Sequence, residues 1–125
     1  MKLLDTTIAV DHLRGEPAAV DFLATVVGSG EDLVASELVR FELHAGVRDK
    51  ELDALEEFCS ALRWAAVTEE IARVAGRLAR RYRRSHSGIG AVDYVIAATA
   101  IVIDADLLTT NVRHFPMFTT LEPPY

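Results

Sequence analysis

Cysteine is nearly missing from this chain: Cys59 is the only one in 125 residues. That excludes an intrachain disulfide and a cysteine-based structural zinc site, and leaves Cys59 to be read as a buried thiol in a helix. Lysine is almost as scarce, limited to Lys2 and Lys50. No uncharged apolar run reaches the roughly 18 residues that a membrane span requires. The opening Met1-Lys2-Leu3-Leu4-Asp5 meets an acid before a signal-peptide core can form, so a cytoplasmic protein without membrane contact is expected. The four histidines, His12, His44, His86 and His114, form no i, i+4 pair on one helix and lie beside no candidate nucleophilic serine in a recognisable motif, and are read as surface or structural. Ser87-Gly88-Ile89-Gly90 lacks the lysine of a phosphate-binding loop.

Half of the residues are hydrophobic, which excludes a disordered chain, and the length suits one domain over residues 1–125. A net charge of -6 argues against a polyanionic partner only until its distribution is examined. Arg73, Arg77, Arg80, Arg81, Arg83 and Arg84 put +6 into one acid-free block, leaving -12 for the rest. That block is either a solvated helix face matched to the helix dipole or a surface for RNA or a partner.

Hydrophobic periodicity predicts strands at 2–5, 32–35, 64–67 and 107–110, with a last short one at 119–121. Helices are predicted at 6–14, 17–28, 37–47, 50–62, 69–84 and 91–103, with Gly15 and Gly28 as helix stops. Alternating strands and helices, with strands too apolar to alternate in polarity, predict an α/β fold whose parallel sheet is covered on both faces. Ligands of such sheets gather beyond the carboxyl ends of the strands.

Three acids interrupt stretches that otherwise read as buried. Asp5 ends the strand Leu3-Leu4. Glu42 joins an expected apolar stripe of Leu38, Phe41 and Ala45. Asp93 is the only charge between Ala91 and Ile103. Buried carboxylates need partners, and no basic residue is placed to serve all three, so a divalent cation is the natural counter-charge. An oxygen-only set of Asp5, Glu42 and Asp93, with the Asn111 amide nearby, suits magnesium or manganese better than zinc. Metal-assisted phosphate-ester cleavage is the chemistry such a set supports.

Leu3-Leu4-Asp5-Thr6-Thr7, Glu42, Asp93-Tyr94-Val95-Ile96-Ala97-Ala98-Thr99-Ala100 and Leu107-Leu108-Thr109-Thr110-Asn111-Val112-Arg113-His114-Phe115 together span most of the chain. In their order and spacing the sequence resembles the PIN-domain ribonucleases of the VapC toxin type. The resemblance implies a three-layer sandwich with a short central parallel sheet flanked by helices. It implies that Asp5, Glu42 and Asp93 take the metal-binding acid positions, with Thr6 or Thr7 in the hydroxyl position beside the first. Asn111 falls where many relatives carry a fourth acid. Thr110 stands where relatives often carry a basic residue, so Arg113 becomes the expected phosphate contact. The resemblance also implies a homodimer, an RNA substrate, and a cognate antitoxin whose carboxyl-terminal segment fills the groove.

The expectation is therefore a Mg2+- or Mn2+-dependent endoribonuclease acting as the toxin of a toxin-antitoxin pair. The general base is left open among Glu42, Asp93 and bulk hydroxide. A PIN-like module that binds RNA or protein without cutting is the rival, with Asn111 as its sign. A phosphoacceptor receiver lacks its lysine after the last strand, and an aspartyl-nucleophile phosphatase lacks a second acid where Thr7 stands.

Overall fold

A computed structural model describes all of residues 1–125. The elements run β1 (Lys2–Leu4), α1 (Thr6–Leu13), α2 (Pro17–Gly28), β2 (Leu33–Ser36), α3 (Glu37–Gly46), α4 (Leu52–Ser60), β3 (Arg63–Ala65), α5 (Glu69–Tyr82), α6 (Ala91–Val102) and β4 (Asp106–Leu108). Short 3-10 turns at Asp49–Glu51 and Val112–His114 complete the chain. The four strands are all parallel in the order β3-β2-β1-β4. Leu3 and Leu4 point to opposite faces of β1 and both are fully buried, as are Ala35 and Ser36 of β2. Helices therefore cover both faces, which gives the expected helix-sheet-helix sandwich. Each of the two leucines contributes about 1.5–3 kcal/mol by leaving water.

Local signals explain most boundaries. Pro17 opens α2, where its missing N–H costs nothing. Ser36 accepts from the Leu38 N–H at 3.1 Å and Thr68 from the Ile71 N–H at 3.2 Å, capping α3 and α5. Gly15 turns the chain after α1 at φ +76°.

Four expectations need correction. Residues 119–121 form a turn, not a strand: the Leu121 N–H reaches back to the Phe118 carbonyl at 3.3 Å, and Pro123 and Pro124 offer no amide for a ladder. Beyond α2 the left-handed residue is Gly30, φ +82°, whereas Gly28 is still helical. The buried stripe of α3 is Val39 and Leu43, while Phe41 is 63% exposed and Ala45 faces solvent. Ser36 sets this phase, because the residues three and seven beyond the cap fall on the sheet side. Finally, β4 ends at Leu108, because Thr109 and Thr110 leave the ladder to bond across the sheet's carboxyl edge.

Candidate active site

Between β1 and β4 the strand order reverses, and such a switch point opens a crevice beyond the strand ends. A groove of about 490 Å³ lies there. It is lined by Asp5, Thr6, Thr7, Val10, Asp11 and Arg14 from β1 and α1, by Glu42 from α3, by Asp93 from α6, and by Thr110, Asn111 and His114 from the segment after β4. All three acids expected from the sequence thus share one wall-to-wall cleft, with Thr6, Thr7 and Asn111 among them.

Asp5 forms its floor, at 3% exposure. It does cap α1, accepting from the Thr6 N–H at 2.8 Å through Oδ1. Its Oδ2 accepts from the Thr109 hydroxyl at 2.6 Å and from the Thr7 hydroxyl at 3.2 Å. Every partner is neutral. Burial pushes the Asp5 carboxyl above the usual carboxylate range, the bonds from Thr109, Thr6 and Thr7 pull it partly back, and the charge of Asp93 adds to the rise. Thr109 is fully buried and also accepts from the Asn111 N–H at 2.9 Å, while the Thr110 N–H donates to the Thr7 hydroxyl at 3.3 Å. Hydroxyls therefore stitch the end of β4 to the start of α1 around the carboxylate.

Glu42 comes in from α3, half-buried, and its Oε1 accepts from the Thr6 hydroxyl at 2.6 Å. Asp93 stands in the first turn of α6, where the helix dipole favours an anion. His114 Nδ1 lies 2.9 Å from Asp93 Oδ2 and 2.9 Å from Asn111 Nδ2. A carboxylate only accepts, so the Asp93 contact puts the hydrogen on Nδ1, which then cannot also accept from the Asn111 NH2.

No three histidine, cysteine or acidic side chains already close around a common point. The acids share a groove without forming a finished cage, and Thr6 and His114 each hold one of them to the wall. The residues fit magnesium or manganese nonetheless. The donors are oxygens, the deepest one is a buried carboxylate with no cation beside it, and magnesium characteristically keeps waters and takes only one or two carboxylates.

Two expectations about the site change. Arg113 is exposed and does not line the groove, whereas Arg14 does. His114, read as surface or structural, is a wall residue bonded to Asp93. Asp11, Arg14, Thr109 and Thr110 were also missed. For α1 a signal existed, since Thr7, Val10, Asp11 and Arg14 repeat at helical spacing on the face that carries Thr7. Nothing local marks His114, because its bond to Asp93 joins residues 21 apart in the chain. Cys59 is a buried free thiol as expected, and burial pushes its pKa up.

Comparison with known proteins gives a consistent result. The PIN domain family matches residues 2–116. The chain is 73% identical over 125 residues to Ribonuclease VapC19 of Mycobacterium tuberculosis, covering all of both chains. It is 46% identical to Ribonuclease VapC10 of the same species, covering all of this chain and 93% of the relative. Among solved structures, VapBC2 from Rickettsia felis bound to a fragment of promoter DNA superimposes with a TM-score of 0.80 at 25% identity, over 96% of this chain and 94% of that one. VapBC-1 from nontypeable Haemophilus influenzae gives 0.78 at 26% identity, over 97% and 94%. With its acids on the carboxyl edge of a four-stranded parallel sheet and these likenesses over nearly its whole length, the chain belongs to the PIN-domain family, among the VapC ribonucleases.

Proposed function

We propose that this chain is a single PIN-like domain that works in the cytoplasm as a magnesium- or manganese-dependent endoribonuclease, the toxin of a toxin-antitoxin pair. The observation that carries the reading is Asp5, a buried carboxylate with only neutral partners on the floor of a groove that also holds Glu42 and Asp93. In this reading Asp5 and Asp93 hold the cation, and Glu42 joins them or orients the attacking water. A cation so held supplies Lewis-acid stabilisation of the phosphate and a more acidic bound water. The chain's own contribution is orientation. Thr6 fixes the Glu42 carboxylate, the Thr109 and Thr7 hydroxyls fix Asp5, and His114 fixes Asp93. Asn111 sits on the same wall and contributes a neutral polar contact. Arg14, at the mouth, replaces Arg113 as the contact for a substrate phosphate.

A second hollow of about 370 Å³ adjoins the first and shares Val10, Arg14 and Glu42 with it. Leu13, Leu43, Val47 and Leu55 give it an apolar side, and Arg48 and Glu51 stand beside them. An antitoxin segment that laid apolar side chains there would reach the acids directly, which supports the partner implied by the VapBC relatives. No helix is long and apolar enough to cross a membrane. Pairing of two copies, implied by the family likeness, is read by sedimentation.

Incubating the antitoxin-free protein with total RNA and magnesium or manganese tests the reading, with chelated and Asp93→Asn controls. Discrete cuts absent from both controls are expected. A folded protein that binds metal and makes no cuts would instead favour the non-cutting module.

His114 provides a further check. A residue that orients a metal ligand typically supports affinity by 10–100-fold. His114→Ala is expected to weaken Mn2+ binding by about that factor, measured by titration calorimetry. The metal-free melting temperature should stay within a few degrees of the parent, since the imidazole is a third exposed.

A further inference from the structure

Outside the groove, the strongest feature that the site does not use is the outer face of α5. Every arginine of the block, Arg73, Arg77, Arg80, Arg81, Arg83 and Arg84, is exposed. Arg73, Arg77 and Arg80 are spaced by four and three residues, so they form a single row roughly 10 Å long. That row points away from Ile71, Ala75, Leu78 and Tyr82, which pack toward α6. Arg83 and Arg84 extend the charge into the turn that follows. Only Arg73 has a carboxylate partner, Glu69, at 2.7 Å. No acid stands between Glu70 and Asp93 in a chain that otherwise has acids in excess.

A solvated helix face does not need this pattern. Surface helices gain stability from alternating charges at i, i+4, whereas Arg73 with Arg77, and Arg77 with Arg80 and Arg81, are like-charge neighbours that weaken the helix. The helix dipole favours cations only near the carboxyl end, which does not account for Arg73 and Arg77. A row of guanidiniums of which only Arg73 is paired suits a ligand with negative groups in a row, because their planar forks bind phosphate oxygens in pairs.

We propose that the outer face of α5 is a docking rail for the sugar-phosphate backbone of structured RNA, separate from the acid groove. The proposal rests on the ribonuclease reading for the identity of its polyanion. It assigns affinity and approach to α5 and cleavage to the groove, which explains how an acidic protein holds an acidic substrate. The rail costs helix stability, and it is the RNA that relieves the repulsion.

The test uses the full chain carrying Arg77→Gln, Arg80→Gln and Arg84→Gln together, beside the parent. In an Asp93→Asn background, binding of bulk transfer RNA is measured by fluorescence anisotropy across a salt series. Loss of three phosphate contacts is expected to weaken binding at least about tenfold near 0.1 M salt and to flatten the log-log salt slope by about 2–3. Without RNA, the triple variant should melt at the same or a higher temperature than the parent at low salt, since like charges have been removed. With Asp93 intact, cleavage of a short single-stranded oligonucleotide should match the parent. Unchanged RNA affinity and slope would overturn the rail, as would an affinity loss that tracks a lower melting temperature. A parent that binds RNA through the rail but cuts none would remove the nuclease reading alone.

Discussion

Replacing Asp5 with asparagine is expected to raise the melting temperature of the metal-free protein while abolishing metal-dependent cleavage. Asp5 is almost fully buried, has no cationic partner, and feels the charge of Asp93. Its carboxyl is shifted upward with burial as the leading cause, so at neutral pH the folded protein holds a charge it would rather not hold. Asparagine keeps the cap to the Thr6 N–H, and its NH2 donates to the Thr109 and Thr7 hydroxyls in place of the acceptor Oδ2. The gain is on the order of 1–3 kcal/mol, the scale of a poorly compensated buried polar group. The sign follows from linkage. A carboxyl raised in the folded state contributes stability that is full below its unfolded pKa and lost as pH rises through the folded value. The variant's advantage should therefore be absent in acid and appear as pH rises toward neutrality. Magnesium or manganese should stabilise the parent and leave Asp5→Asn unmoved. Melts at two pH values, with and without metal, read all of this. A variant less stable than the parent at neutral pH, or still stabilised by metal, would refute the account.

Thr109→Val is expected to destabilise the protein by about 2–4 kcal/mol, or on the order of 10 °C, although the two side chains have nearly the same shape. The hydroxyl is fully buried and serves two groups that have little else: it donates to Asp5 Oδ2 at 2.6 Å and accepts from the Asn111 N–H at 2.9 Å. Valine leaves a charged acceptor weakly bonded and a backbone donor bare. Thr109→Ser should recover most of the loss, because it restores the hydroxyl and removes one methyl. Equal melting of Thr109→Val and the parent would show that the hydroxyl bridge is not what joins β4 to the site. These two substitutions oppose each other at one carboxylate: one relieves its charge, the other removes its best bond.

Most of the fold was legible in the sequence, because strands and helices write their burial into periodicity. The apolar run Leu3-Leu4 and the buried stretch of α6 were read in the right places, and the parallel sheet followed from strands buried on both faces. Periodicity was least informative where the pattern was short. On α3 it selected Phe41 in place of Val39 and Leu43, since which stripe faces inward depends on how the cap at Ser36 orients the helix on the sheet. At residues 119–121 two threonines and a leucine have strand-like character, but no neighbouring edge accepts them.

By itself the sequence determined the chemistry of this protein: acids set into apolar elements, a neutral Asn111 among them, and positive charge gathered on one helix. These are properties of residue type and local spacing, and they survive without coordinates. The tertiary structure decided which groups meet. It joined Asp5 to Thr109 across two strands, turned Glu42 onto Thr6, set Arg14 and not Arg113 along the groove, and made His114 the partner of Asp93. The reason is physical. A hydrogen bond or a shared groove is set by distances between elements far apart in the chain, and the reversal of strand order between β1 and β4 creates those distances.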